Sequence, residues 1–451
     1  MFRIALVLLA FLPATANADP TYAFATATDF QSPNGCASWA EIAPPRTAHP
    51  CVEDVSSDPV ARWAFDRIYV VNRFGADNIQ VLDPSNNFQT LSQFSVGNGT
   101  NPQDIAVISP NKAFVSLYNA SYLLVVDPQT GTAIDSVSLA AFADGDGSPE
   151  AARMWFTSDR VFVALQRLNS FVPTDTSYIV VVDAVADTVI QPIQLVGRNP
   201  VSDLEYDPTT NHLLVCSVGS FGVLDGGVEA VDVNTLEALG YEATESQLGG
   251  QLGDVAVSNG RAYVTLSDLS FEGASWIERY DRATGAPLHN VFSTENFALG
   301  DIETNTLGEL WACDRTMLAP GLRVFRTADD ASLAGPISTG VPPFDVLFDG
   351  AVTVSARPPQ RPTLAILSAA PNPTRGEWRL SYAVGEGDAA PASLGIYDVR
   401  GALVDRVTSG PVGAGAHTIA WRARAGTPAG AYFYRLERAG QVRTGRLALV
   451  P

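Results

Sequence analysis

A short pattern of apolar strands recurs along this 451-residue chain at a nearly constant spacing. In each repeat, a strand rich in β-branched residues follows another strand directly, as RIYVVN does at 67 to 72 and RAYVTLS at 261 to 267. The central residues of these second strands lie 45 to 52 positions apart: Val70, Val115, Val163, Val215, Val264 and Ala312. Such a period indicates one supersecondary unit repeated along the chain, which restricts the fold more than any other feature.

Seven such units can be aligned on their first strands, which begin near residues 60, 104, 151, 202, 253, 300 and 344. Gly, Pro, Asn and Asp turns separate the strands, and no long helical periodicity appears. These features predict an all-β fold, with a seven-bladed β-propeller over residues 19 to 356. The seventh unit has only two strands at its C-terminal end, so residues 21 to 30 and 36 to 42 are expected to complete it and close the ring.

The N-terminal residues 1 to 18 read as a secretory signal peptide. Arg3 precedes an apolar run from Ile4 to Leu12, and Ala16-Asn17-Ala18 is a small-x-small cleavage signal. The apolar run is about half of the roughly 20 residues that a membrane-spanning helix needs. The sequence therefore predicts export across the inner membrane, a secreted or cell-surface location, and no transmembrane helix.

Four cysteines remain in a compartment that permits disulfides. Cys36 and Cys51 enclose a short loop and are predicted to be bonded. Cys216 and Cys313 fall on the second strands of two units that are separated by one full blade. Their distance should therefore be too large for a disulfide. They are expected to be buried thiols.

The net charge of −20 is unevenly distributed. Twelve arginines against six acidic residues follow position 356, so the preceding part carries the whole negative excess. Nucleic-acid binding is excluded because that part would repel phosphate. Haem and nucleotide cofactors are not expected, since neither a CxxCH haem site nor a P-loop occurs, and HExxH and GxSxG are absent too.

Acidic residues recur where the first strand of a unit begins. Asp104, Asp203, Asp254, Asp301 and Asp345 occupy this position, and Glu150 takes it with an offset of one residue. Gathered carboxylates raise one another's pKa unless a cation or an arginine neutralises them. We therefore predict a ring around one channel mouth that could hold Ca²⁺ or another divalent cation. Alternatively, each Asp accepts backbone N–H bonds at a crossover between units.

The loop FADGDGSPE, residues 142 to 150, adds Asp144 and Asp146 to these metal candidates. Its Asp-x-Asp-Gly spacing resembles the start of an EF-hand loop but lacks the later ligands. The two carboxylates either supply extra ligands to the ring or only shape a turn.

Long loops join the second and third strands of several units and are expected on the same face as the ring. Their candidate ligand-binding residues are Arg73, Gln166, Arg167, Trp276 and Arg315. Guanidinium groups beside aromatic rings suit a surface glycan, a peptide or a small molecule. Neutralisation of the acidic ring by these arginines is the alternative.

Two regions of the sequence resemble known protein families. The succession of Pro, inner strand, YVVN and IQVLDP over residues 20 to 356 resembles the YVTN-type β-propeller repeat of exported and surface-layer proteins. After a Pro-rich linker at 357 to 370, residues 371 to 451 resemble the C-terminal sorting domains of type IX secretion substrates and the Ig-like domain of the flagellar hook-capping protein. The matching residues are Pro371-Asn372-Pro373, Ile396-Tyr397-Asp398, Gly401, Gly415, Thr418 to Trp421 and Gly430-Ala431-Tyr432-Phe433-Tyr434.

The second resemblance implies a small Ig-like β-sandwich that engages the secretion machinery and directs attachment. An accessory sandwich without a sorting role is the alternative. The favoured function is a non-catalytic binding or interaction module. The alternative is an exported propeller hydrolase or lactonase that uses a divalent metal at the channel mouth. A quinone-dependent dehydrogenase is disfavoured, because no haem motif and no Trp docking motif in each unit are visible.

Overall fold

The computed structural model describes residues 19–30, 34–270, 273–296, 298–350, 354–355, 364–384, 390–413, 415–424, 426–438 and 441–450. The predicted signal peptide, residues 1 to 18, lies outside these ranges. The chain divides into two compact units, Met1–Ser355 and Ala356–Pro451. None of the described helices is long and apolar enough to cross a membrane.

The described part of the first unit consists of short strands and one short helix, α1, Glu245–Leu248. The strands are β1 Tyr22–Ala27, β2 Asn34–Glu41, β3 Ala48–Ser56, β4 Pro59–Ala64, β5 Arg67–Asn72, β6 Asn78–Asp83, β7 Gln89–Ser95, β8 Pro102–Ser109, β9 Lys112–Leu117, β10 Tyr122–Asp127, β11 Thr132–Ser138, β12 Ala151–Thr157, β13 Arg160–Leu165, β14 Leu168–Asn169, β15 Val172–Pro173, β16 Tyr178–Asp183, β17 Thr188–Gln194, β18 Glu205–Asp207, β19 His212–Ser217, β20 Gly227–Asp232, β21 Glu237–Thr244, β22 Gln251–Ser258, β23 Arg261–Ser267, β24 Ser275–Tyr280, β25 Pro287–Thr294, β26 Leu299–Thr304, β27 Glu309–Asp314, β28 Gly321–Arg326, β29 Ser332–Ile337, β30 Pro343–Phe348 and β31 Val354–Ser355. Single 3₁₀ turns lie at Pro84–Asn86 and Ala140–Phe142.

These strands form antiparallel sheets of four strands in chain order, as the repeat predicts, and β31 adds a fifth, parallel strand to one of them. The sheets are β4-β5-β6-β7, β8-β9-β10-β11, β12-β13-β16-β17, β18-β19-β20-β21, β22-β23-β24-β25 and β26-β27-β28-β29. In each sheet the second strand is buried on both faces, as in β19, where all residues after His212 are buried. The fourth strands are mostly exposed, so the apolar core lies between consecutive sheets.

Most of the first strands meet their neighbours directly, and an ion pair between Arg153 and Asp203 links β12 to the residues just before β18. Strand β4 contacts β8, β8 contacts β12, β18 contacts β22, β22 contacts β26, β26 contacts β30, and β30 returns to β4. Adjacent sheets share apolar clusters, such as the one that contains Phe114 of β9 and Val163 of β13. The first strands therefore surround a common centre.

The N-terminal strands complete the last sheet, although with a different strand order from the predicted one. Strand β1 pairs with β30, with Phe24 opposite Leu347, and the sheet runs β30-β1-β2-β3. Three N-terminal strands thus join one C-terminal strand, and β1 takes the place expected for residues 351 to 356. Of those, 351–353 and 356 lie outside the described residues, and β31 pairs in parallel with β12.

A disulfide joins Cys36 of β2 to Cys51 of β3, with the two Cα atoms 5.0 Å apart. The predicted pairing is therefore confirmed. Cys216 and Cys313 are buried and free, as expected from their positions on separate sheets.

The described part of the second unit forms two sheets, β32-β33-β36 and β35-β34-β37-β38. Its strands are β32 Leu364–Ala370, β33 Glu377–Val384, β34 Ala390–Tyr397, β35 Leu403–Val412, β36 Gly415–Arg422, β37 Gly430–Arg438 and β38 Gln441–Leu449. Buried Trp378 and Trp421 of one sheet share a core with Leu394 and Leu436 of the other. Residues 364 to 370, expected in the linker, instead pair with β33 as β32, and 356–363 lie outside the described residues.

Candidate functional site

Side chains at equivalent positions of the first strands face the common centre. Four of these positions are Asp104, Arg153, Asp254 and Asp301. They are equivalent because the residue after each one pairs with the central residue of the second strand in its sheet. We call this set the mouth layer; its charged members are Asp104, Arg153, Asp203, Asp254, Asp301 and Asp345. Strand side chains alternate with a period of two. The positions two residues after the mouth layer on each first strand therefore face the same centre. We call them the inner layer, which includes Arg62, Glu205 and Glu303.

The carboxylates of the mouth layer join neighbouring first strands. Asp104 Oδ2 accepts a hydrogen bond from the Met154 backbone N–H at 2.8 Å. Asp254 Oδ2 accepts one from Ile302 at 3.1 Å, and Asp301 Oδ2 one from Val346 at 2.8 Å. The repeated Asp therefore satisfies a backbone donor of the next sheet, which is the structural alternative that the repeat pattern suggested.

Two arginines neutralise part of this acidic ring. Arg62 Nε lies 2.8 Å from Asp104 Oδ1, and Arg62 Nη2 lies 2.9 Å from Asp203 Oδ2. Arg62 Nη1 is 3.7 Å from Asp345 Oδ1, so one guanidinium group reaches three carboxylates from three different sheets. Arg153 Nε adds an ion pair to Asp203 Oδ1 at 3.0 Å.

The carboxyl groups consequently fall into two electrostatic classes. Although burial opposes ionisation, Arg62 and Arg153 hold the pKa of Asp203 below its ordinary value. Burial, together with neighbouring acids, raises the pKa of Asp254 to about 6 and that of Asp345 to about 8. The pKa of Asp301 is raised well above its usual range by burial and by the neighbouring Asp254 carboxyl group.

The inner layer continues the acidic lining. Burial and nearby acids raise the pKa of Glu205 to about 8, while its Oε1 accepts a hydrogen bond from Val257 N–H at 3.0 Å. Burial, followed by the charge of Glu205, raises the pKa of Glu303 strongly. The site residues predicted from the sequence include neither of these glutamates nor Arg62. The D-x-E pattern shared by SDLEYD and GDIETN could have revealed the glutamates, because residues two apart on a strand face the same side.

A cavity of about 200 Å³ opens at the mouth layer. Asp203, Asp254, Asp301, Asp345 and Arg153 line its floor, and Ser267, Ser275 and Phe344 are among its wall residues. Among the described residues, the group of carboxylates suited to a metal ion is Asp203, Asp301 and Asp345, with one oxygen from each within 4.8 Å of the others. Carboxylate oxygens are the ligands that hard divalent cations prefer.

The other acidic candidates have local partners. Arg153, not Glu150, occupies the mouth-layer position of the third sheet, which corrects the predicted offset. Glu150 Oε2 accepts a hydrogen bond from Leu168 N–H at 2.7 Å, and burial raises its pKa to about 7. Asp144 Oδ1 accepts from Asp146 N–H, and Asp146 Oδ1 accepts from Ser148 N–H. FADGDGSPE is thus a loop shaped by its own carboxylates.

The candidate ligand-binding residues mostly brace loops. Arg73 pairs with Asp58 and donates to Gln103 Oε1, and Gln166 Nε2 donates to Pro200 O at 3.0 Å. Arg167 donates to the Phe142 and Thr176 carbonyl oxygens.

Arg315 and Trp276 are also engaged. Arg315 donates to the carbonyl oxygens of Pro343 and Thr28, each at 3.0 Å. Trp276 packs against the apolar cluster around β22 and β23. The arginines that form ion pairs with the ring are Arg62 and Arg153, which lie on first strands. Of the loop arginines, Arg73 adds a smaller charge effect that also lowers the pKa of Asp203.

Comparison with known proteins adds a fold-level likeness. No protein-family model matches the sequence, and no curated protein sequence does either. A putative 6-phosphogluconolactonase from Bacteroides uniformis is 13% identical with a TM-score of 0.51, over 73% of this chain and 99% of that one. A protein from Lactobacillus plantarum is 14% identical with a TM-score of 0.51, over 73% and 99%. These neighbours and the repeated four-stranded sheets support a β-propeller fold for this chain.

Proposed function

We propose that this chain is an exported β-propeller protein, secreted or held at the cell surface, whose channel mouth binds a ligand without catalysing a reaction. The observation that carries the proposal is the cavity of about 200 Å³ with Asp203, Asp254, Asp301 and Asp345 on its floor. Backbone N–H groups hold Asp254, Asp301 and Asp345 in place, so the floor is preorganised for binding.

The charge of the floor selects the ligand chemistry. Four carboxyl groups and one guanidinium group line the cavity, and Arg62 reaches two of these carboxylates from outside the lining. Burial, followed by neighbouring acids, raises the pKa of Asp254 and that of Asp345. A cationic group placed among them favours the ionised carboxylates. The pocket thus suits an ammonium or guanidinium group, or a divalent cation.

Isothermal titration calorimetry at pH 8 tests this role. N-acetyl-lysine methylamide and Ca²⁺ serve as separate probes. We expect at least one of them to bind with one site per chain, and Asp301→Asn to weaken that binding about tenfold. Asp135→Asn, on the exposed outer strand β11, serves as the matched control. Absence of binding by both probes would refute the proposed role of the pocket.

A metal-dependent hydrolase or lactonase is the second candidate function. The convergence of Asp203, Asp301 and Asp345 favours it, because three carboxylates could hold a divalent ion that activates water. The putative 6-phosphogluconolactonase neighbour has the same kind of fold. Metal analysis of purified protein, followed by lactone and phosphodiester panels, separates the two candidates. A stoichiometric metal and an activity that Asp301→Asn removes would favour the enzyme.

We further propose that the seven larger sheets in the described part of the first unit, with β30-β1-β2-β3 as the last, are the blades of a seven-bladed propeller. The second unit is proposed to be an Ig-like sandwich that contacts the secretion machinery and directs attachment. The two-sheet core and the family resemblance in its motifs support this role. Deletion of residues 356 to 451 should leave a folded first unit in the periplasm. Unchanged surface delivery of that truncation would contradict the sorting role.

A further inference from the structure

Exposed apolar side chains lie in the connections between second and third strands, at one face of the first unit. Phe74 is 79% exposed, Phe171 82% and Leu318 100%. We call the following set the apolar rim: Phe30, Phe74, Phe171, Phe221, Leu269 and Leu318. Each lies in a different sheet's connection between the second and third strands. Because Ser267 and Ser275, which flank one such connection, line the pocket, the rim and the pocket open on the same face.

Direct contacts connect the rim to the pocket wall. The Phe30 ring lies edge-on to Phe344, with centroids 5.4 Å apart, and Phe344 lines the pocket. The Arg315 guanidinium lies over Phe30 at 4.7 Å and over Phe344 at 5.5 Å. Arg315 also donates hydrogen bonds to backbone carbonyl oxygens, which fix its position beside the two rings. A ligand that fills the pocket would therefore also meet aromatic surface at its edge.

The backbone conformation is unfavourable at Phe171, the most exposed aromatic residue of the apolar rim. Phe171 occupies the tip of the hairpin formed by β14 and β15, with a φ of 67°. Tight hairpin turns of this kind favour Gly, Asn or Asp, and a bulky residue rarely adopts a positive φ. The turn thus presents a phenylalanine to solvent where glycine would suit the fold better. Strained residues of this kind cluster at ligand-binding sites.

Exposed apolar side chains that gather on one face mark interaction surfaces, and these six lie on the same face as the acidic pocket. An anionic membrane would be repelled, because the chain carries a net charge of −20 while its basic excess lies after position 356. We propose that the apolar rim and the pocket together bind a protein segment that presents apolar side chains on both sides of a lysine or an arginine. The cationic side chain enters among Asp203, Asp301 and Asp345, and the flanking residues pack on the rim. This inference rests on the proposed binding role of the pocket.

Selection from a phage-displayed random heptapeptide library tests the inference with the full mature chain as bait. We expect the enriched peptides to share a Lys or Arg flanked by apolar residues. A synthetic peptide with the enriched sequence should lose about tenfold in affinity when its basic residue becomes norleucine. Phe171→Gly and Leu318→Ser should weaken the peptide by a similar factor. Val185→Ser serves as control, since Val185 is 78% exposed in a connection between third and fourth strands on the opposite face.

Folding and binding are separated by thermal melting of the same variants. Phe171→Gly should melt at or above the wild-type temperature, because glycine suits the positive φ, and yet it should bind the peptide more weakly. Enriched peptides without a basic residue, equal affinity for the rim variants, or no enrichment at all would overturn the inference. Retained binding of N-acetyl-lysine methylamide in that event would leave the pocket's own role intact.

A membrane surface or a second copy of the chain, as alternative occupants of the apolar rim, would each give a distinct experimental result. Co-sedimentation with phosphatidylglycerol vesicles that Leu318→Ser abolishes would assign the rim to a membrane surface and overturn the inference. A concentration-dependent dimer lost in Leu318→Ser would assign it to a second copy of the chain, with the same consequence.

Discussion

The carboxylate of Asp345 accepts a hydrogen bond from the backbone N–H of Ala61, 2.8 Å away, although the two residues are 284 positions apart. Asp345 is on β30, the last of the first strands, and Ala61 is on β4, the earliest of them in the chain. The bond therefore closes the circle of first strands. It is the same type of bond that Asp104 makes to Met154 and Asp301 makes to Val346.

Removal of this acceptor should destabilise the first unit. We expect Asp345→Ala to lower the free energy of unfolding by about 1 to 3 kcal/mol, because the buried Ala61 N–H would lose its partner. Asp345→Asn keeps an oxygen acceptor and should cost less. Chemical denaturation of the two variants and of the exposed control Asp135→Ala checks this expectation. Equal losses for Asp345→Ala and the control would contradict it.

Arg62 should matter more than any other single cation of the ring. Its guanidinium reaches Asp104, Asp203 and Asp345, and Arg62→Gln would leave three carboxyl groups without their main counter-charge. We expect a loss of about 3 to 5 kcal/mol in unfolding free energy at pH 8, and a smaller loss at pH 5, where Asp345 is protonated because its pKa is raised to about 8. Arg400→Gln, in an exposed turn of the second unit, is the control. A loss that does not change with pH would count against this electrostatic account.

The stability of the first unit should fall as pH rises from about 4 to about 8. Burial raises the pKa of Asp345 from 3.8 to about 8 and that of Glu205 from 4.5 to about 8. The folded chain therefore holds protons that the unfolded chain has released in this range, so raising the pH favours unfolding. The lowered pKa of Asp203 acts in the opposite sense only below about 3.8.

Melting temperatures at pH 5 and pH 8 measure this dependence. Glu205→Gln should stabilise the protein at pH 8 and reduce the difference between the two temperatures, whereas Glu237→Gln on an exposed strand position should change neither. A melting temperature that rises from pH 5 to pH 8 in the wild type would contradict this expectation.

The disulfide should stabilise the sheet that closes the ring. Cys36 and Cys51 are separated by 15 positions and join β2 to β3. Replacing both by serine should lower the unfolding free energy by about 3 kcal/mol, as expected for a loop of this length. A reducing agent should lower the melting temperature of the wild type but not that of the double variant. Thiol titration should detect Cys216 and Cys313 only after unfolding, because both are buried.

Local patterns in the chain were enough for the repeated architecture. Runs such as RIYVVN and HLLVCS are apolar on both faces, which predicts strands packed between two neighbouring sheets. The short Cys36 to Cys51 spacing predicts their bond for an equally local reason. The recurring Asp at the start of each first strand was also visible, because a repeat places equivalent residues at a regular interval.

The partners of those Asp residues depend on three-dimensional closure. Arg62 contacts Asp104 on the next sheet, Asp345 on the preceding one and Asp203 from a third, and no spacing along the chain encodes that convergence. Only the curvature of the assembled sheets determines which first strands face one another. The same closure places β1 next to β30, since an unpaired edge there would leave backbone donors and acceptors without partners. Local sequence patterns thus determine which segments become strands. The charge balance at the centre of the first strands follows from contacts among residues that are far apart in the chain.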